Sequence, residues 1–267
     1  MHYRLLVTVI LVYALGIKVQ PTDRKAAHFP EETQWIQLFN GKDLSGWQPK
    51  FMGYPPGENY RNTFRVEDGI LKVSYDEYET FNEEFGHLFY QTPYAHYRLR
   101  AEYRFAGEQV PDGPDWAFRN NGFMLHCQPV ASMGLDQDFP ISLEAQLLGG
   151  REEGDRPTMN LCTPGSNVVI EGELREEHCM RSASGTFRGD QWVTVEMIVR
   201  GDSVVHHLVE GDTVLTYQNL QMGGGEINGY DPAVYIEGKP MKEGYIAIQA
   251  ESHPTEFRKI ELMVLEE

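Results

Sequence analysis

From Trp35 onward the chain is written in short apolar runs separated by Gly, Pro, Asn and Asp turns. Many runs alternate apolar and polar residues with period two, which puts one face of an extended strand toward a core and the other away from it. The runs predict strands over Phe64–Val73, Tyr97–Phe105, Gly122–Gln128, Ile141–Leu148, Val193–Arg200, Ser203–Glu210, Thr213–Tyr217, Gly244–Ala250 and Phe257–Leu265. Gly201-Asp202 and Glu210-Gly211-Asp212-Thr213 read as hairpin turns between neighbouring strands. No long helical periodicity follows residue 34, and no repeat of propeller length is present. So many short strands at this turn density predict an all-β sandwich or jelly roll, with residues 34–267 as one domain. Long polar or Gly-rich stretches at 106–120, 149–191 and 218–243 are expected to be loops, the usual carriers of function in such folds.

The N-terminus breaks this pattern. Arg4 precedes an apolar run from Leu5 to Ile17, shorter than the roughly 20 residues a spanning helix needs. Residues 1–20 therefore read as a secretory signal and 21–33, with Pro21 and Pro30, as a linker. The expectation is an exported protein, periplasmic or secreted, with no membrane insertion once the signal is removed. In an oxidising compartment Cys162 and Cys179 could close a disulfide, and Cys127, in an apolar run, reads as a buried thiol. Such a bridge would contribute about 3 kcal/mol in the chain-entropy account.

Charge narrows the partners. With 40 acidic against 23 basic residues the net charge is −17. That repels nucleic acid and anionic lipid but leaves a neutral sugar unaffected.

Several ordered segments carry a family likeness. They are Leu38-Phe39-Asn40-Gly41-Lys42-Asp43-Leu44-Ser45-Gly46-Trp47, Phe64 to Leu71, Arg119 to His126, Ser142 to Leu148, Gly189-Asp190-Gln191-Trp192, and Gly244 to Gln249 with Glu256 to Ile260. Together they resemble the 3-keto-glucoside lyase/hydratase family, also called 3-keto-disaccharide hydrolases. The resemblance implies a concanavalin-like jelly roll of two curved antiparallel sheets with a small-molecule carbohydrate as substrate. It also implies a reaction: a sugar oxidised at C3 loses its C2 proton, expels the C1 substituent and is then hydrated. That chemistry needs a base near C2, a group stabilising charge at O3 and an acid near the leaving oxygen. The same fold also serves non-catalytic carbohydrate-binding modules, and a shared fold does not decide between the two.

Alternation on 141–148 sets Ser142, Glu144, Gln146 and Leu148 opposite four apolar residues. An acid in such a run needs water, a partner or a ligand, and a cross-strand salt bridge is the plain alternative. Glu144 is the first catalytic candidate, with His126 and Arg258 beside it. Arg119, Asn120, Asn121, Gln128, Gln146, Gln249, His253, Glu256 and Trp116 are expected to bind substrate. Trp47, Tyr54 and Tyr60 are further stacking candidates, whereas Trp35 and Trp192 read as core. A divalent cation held by Glu144, His126 and His253 would stabilise an enediolate, although no metal-spacing motif requires one.

Overall fold

The computed structural model describes residues 34–267, so the expected signal at 1–20 and linker at 21–33 lie outside the described residues. Two antiparallel sheets face each other as a jelly-roll sandwich. The first orders its strands as Glu173–Arg175, Ser166–Ile170, Asp212–Met222, Val204–Val209, Val193–Arg200, His96–Phe105, Thr255–Val264, Ile70–Val73 and Phe64–Glu67, with Ile36–Gln37 paired onto Thr255–Val264. The second runs Cys179–Met180, Asn160–Cys162, Leu143–Leu148, Asn120–Cys127, Tyr245–Ala250, Gly86–Tyr90 and Trp47–Phe51. No helix among the described residues is long and apolar enough to cross a membrane.

The period-two apolar residues of both sheets meet between them. Phe123, Leu125, Leu143, Ala145, Leu147, Ile246 and Ile248 from the second sheet pack on Tyr97, Leu99, Val195, Met197, Phe257 and Ile260 from the first. Phe123 meets Phe257 edge to face, with centroids 5.5 Å apart. The face of the second sheet turned away from this core is therefore free to carry polar groups.

Turn chemistry accounts for the boundaries. The run read as one strand over Phe64–Val73 is a hairpin broken at Asp68-Gly69, whose φ values are +52° and +77°. Asp-Gly supplies the left-handed pair that a tight hairpin requires. Glu210-Gly211 turns the same way, as expected (φ +49° and +92°). The stretch 149–191 is less irregular than its composition suggests, since it holds four short strands, and the strand starting at Asp212 continues to Met222. Trp35 and Trp192 are not core residues: Arg100 lies over the first ring, and Arg104 and Arg258 over the second.

Cys162 and Cys179 are disulfide-bonded and Cys127 is a buried free thiol. The bridge joins directly opposed residues of the edge strand Cys179–Met180 and its neighbour Asn160–Cys162. Thiol labelling of the denatured, unreduced protein should therefore find one reactive cysteine. Replacing the bridged pair by serine should cost about 3 kcal/mol of stability, read by denaturant unfolding.

Candidate functional site

The strand Leu143–Leu148 sits between Asn160–Cys162 and Asn120–Cys127, and its register fixes what surrounds Glu144. Glu144 stands opposite Cys162 on one side and Met124 on the other, and Gln146 stands opposite Asn160 and Gly122. One strand further, Ala247 pairs with Met124, which places Gln249 on the same face, across from His87. The alternation 245, 247, 249 continues to Glu251, just beyond the strand end.

Gly122 lets these side chains converge. A Cβ there would lie 2.6 Å from Glu144 Oε1 and 2.8 Å from Gln249 Oε1, so the bare backbone is the floor over which they meet. Glu144, Gln146, Asn120 and Glu251 line a hollow of about 410 Å³, which Trp116 and His178 also line. The Trp116 ring is half exposed and stacks on Phe85 at 5.9 Å.

Glu144 and Glu251 are 5% and 3% exposed, yet Glu144 Oε1 and Glu251 Oε2 meet no well-formed hydrogen bond among the described residues. The same holds for Asn120 Oδ1 and both amide atoms of Gln249. Buried polar groups are nearly always paired, and each left unpaired costs about 1–3 kcal/mol. Three of these residues, Asn120, Glu144 and Glu251, line the same hollow, which marks it as a place built for a polar ligand.

Electrostatics sharpen this. Burial drives the Glu144 carboxyl well above its ordinary range, and the neighbouring Glu251 adds to the shift, which the Gln249 amide opposes only in part. Burial raises Glu251 as well. Two such carboxyls resist ionising together, so a state with one proton between them can offer an acid and a base in the same site. His87, missed in the sequence because its strand was not recognised, is pushed down to about 3 by burial and by Lys50. It is a neutral imidazole beside this group.

A stability prediction follows from the sign of these shifts. Both carboxyls titrate above the unfolded value of 4.5, so the folded chain holds protons that the unfolded chain has released. Their contribution is intact below that value and is lost as pH rises toward the folded pKa values, by at most about 1.4 kcal/mol per pH unit per group. Buried His87, His126 and His253 have depressed pKa values and act oppositely, losing stability as pH falls below 6.5. The test is thus a difference: Tm of Glu144→Gln minus that of the native chain should grow from pH 5 to pH 8.

Other expected site residues lie elsewhere. His126 has φ +51°, and the register shifts between Tyr245 and Ala247 beside it. This bulge reverses the alternation: Cys127 joins Met124 on the outer face, while His126 turns to Tyr97, with Nδ1 on Met241 O at 2.8 Å. His126 and Gln128 line a different cavity, and Gln128 is already bonded to Ser132, Gln137 and Ile141. Arg258 and Glu256 belong to the first sheet, where Arg258 pairs with Glu102 at 2.5 Å and Glu256 with Arg104 at 2.6 Å. Arg119 holds Asp190 at 2.9 Å. Asn121 faces inward, donating to Gln249 O and accepting from Gly122 N. His253 is buried edge-on against Phe105 and Phe118. Trp47 is a core residue whose indole donates to Leu38 O, and the rings of Tyr54 and Tyr60 pack at a tilt, with centroids 4.7 Å apart.

Glu144, His126 and His253 therefore do not converge as ligands for a cation. The described residues bring one set of metal-type donors together, Cys162, His178 and Cys179, and the bridge leaves its sulfurs without a thiolate.

Comparison with known proteins agrees with this architecture. A protein from Parabacteroides distasonis ATCC 8503, named as a candidate glycosyl hydrolase, superposes with a TM-score of 0.51 at 18% identity, covering 87% of this chain and 94% of its own. A second from the same organism, named likewise, gives a TM-score of 0.53 at 14% identity over 87% and 100%. At such identities the likeness speaks for the fold alone. No curated protein matched the sequence. The sequence model of the 3-keto-alpha-glucoside-1,2-lyase-like domain matches residues 34–263, and the chain belongs to that family.

Proposed function

We propose that the protein is an exported enzyme that cleaves 3-keto-glycosides by elimination and hydration. The observation that carries this reading is the pair of buried carboxyls, Glu144 and Glu251, that line one polar hollow. In the less populated arrangement that leaves the pair's one proton on Glu251, ionised Glu144 takes the C2 proton, which the adjacent C3 ketone has made acidic. The electron pair moves into the C1–C2 bond, the C1–O bond breaks, and protonated Glu251 gives its proton to the leaving oxygen. Water then adds to the resulting 2-hydroxy-3-keto-glucal, its proton going to C2 and its hydroxyl to C1. The Gln249 amide, beside Glu144, donates to the C3 oxygen as charge develops, and Asn120 Oδ1 accepts from a ring hydroxyl. Trp116 offers an aromatic face to the ring.

Export is part of the same proposal. A disulfide supports an oxidising compartment.

The experiment is direct. Purified protein incubated with a chromogenic 3-keto-glucoside should release the aglycone, while the same glucoside with an intact C3 hydroxyl should survive. Binding of 3-keto-glucosides without release would replace this reading with a carbohydrate-binding module.

A further inference from the structure

We infer that Arg156 is a positioning residue, holding Trp116 at the mouth of the hollow so that the indole face meets the sugar ring. This rests on the carbohydrate reading of the site, not on the elimination chemistry.

Arg156 lies in the segment that follows the strand carrying Glu144, and its guanidinium gathers backbone from two places. Nη2 donates to Trp116 O at 3.1 Å, and Nη1 donates to Arg119 O at 3.1 Å and Gly149 O at 2.8 Å. Trp116 is the middle residue of the short 3-10 turn Asp115–Ala117, and Asn120 opens the next strand. Arg156 thus ties both of these hollow-lining residues to the end of the strand that presents Glu144 and Gln146. Arg151 adds a second hold, donating to Asp115 O at 2.5 Å and pairing with its carboxylate at 3.0 Å.

What makes this a clamp rather than a surface contact is the price of the charge. No carboxylate lies in ion-pair range of Arg156 among the described residues, and burial with the nearby Arg151 pulls its pKa down to about 10. A half-buried cation satisfied by three carbonyls alone is a costly means of tying a loop, and only a planar fork reaches acceptors on two segments at once. Beyond the turn, Trp116 has one ring face on Phe85. With the backbone fixed behind it and Phe85 against one ring face, the indole is held beside the hollow.

The test is a double-mutant cycle read by binding and by kinetics. Quenching of tryptophan fluorescence and calorimetry with methyl glucoside and its 3-keto form give Kd for the native protein, Arg156→Lys, Trp116→Ala and the double variant. Arg156→Lys should weaken binding roughly 5- to 30-fold and raise KM by a similar factor, with kcat within about two-fold of native. In the Trp116→Ala background the same change should add nothing. Native-like affinity in Arg156→Lys, or a full further loss in the Trp116→Ala background, would overturn the clamp. General loosening of the fold would give that further loss, so the cycle separates positioning from stability. Methyl glucoside binding needs no turnover: intact coupling without aglycone release would remove the lyase reading and leave the clamp standing.

Discussion

Glu144→Gln is expected to lower turnover of a 3-keto-glucoside by roughly 10²–10⁴-fold, the usual worth of a positioned acid or base. The protein should melt no lower than the native chain at pH 8. The substitution keeps the shape of the side chain but removes its ability to accept a proton. It also removes the charge that Glu251 would oppose, while burial keeps the Glu251 carboxyl raised. Native activity should be bell-shaped in pH, because one proton must be present across the two carboxyls and two must not. Glu251→Gln should leave the base in place, lose the acid, and hurt poor leaving groups far more than good ones. A fully active Glu144→Gln enzyme would remove Glu144 from the chemistry. A variant that is inactive and also unfolded at pH 8 would contradict the claim that the native pair is strained by its own charge.

Gly122→Ala should be nearly as damaging to activity while leaving the protein folded. The new methyl would sit 2.6 Å from Glu144 Oε1, 2.7 Å from Glu144 Cγ and 2.8 Å from Gln249 Oε1, all closer than real contacts allow. The backbone at Gly122 has no positive φ that alanine would resist. Side-chain ends must therefore yield rather than the strand, at about 1–3 kcal/mol for an overpacked site. A shift of about 1 Å in a catalytic group can cost 10²-fold. Turnover should fall by about that factor, with the melting temperature changed by a few degrees. Unchanged kinetics would mean that Glu144 and Gln249 need not meet over this glycine.

The contrast between these residues and the misplaced ones shows what alternation can and cannot reveal. Period two set Glu144 and Gln146 on the outer face, because Leu143–Leu148 is a regular strand paired on both sides. It failed one strand away, where a left-handed residue at His126 inserts a bulge that no side-chain pattern announces. It could not assign sheets either. Glu256 and Arg258 alternate properly on Thr255–Val264, but that strand lies in the other sheet, and their ion pairs lie on its far face. Glu251 was within reach, since it extends the series Tyr245, Ala247, Gln249 by one step, but its place past the strand end hid it. The carboxyl pair itself depends on cross-sheet register, which local sequence does not carry. The disulfide was more legible, because Cys162 and Cys179 sit in turn-rich sequence while Cys127 lies in an apolar run.

Solvent labelling at C2 tests the central claim most directly. A 3-keto-glucoside converted in D₂O by the native protein should yield 3-keto-glucose carrying deuterium at C2, above the exchange seen without protein, because elimination removes that hydrogen and hydration returns one from solvent. Aglycone release with the C2 hydrogen fully retained would mean direct displacement at C1, and Glu144 would not be the base described above.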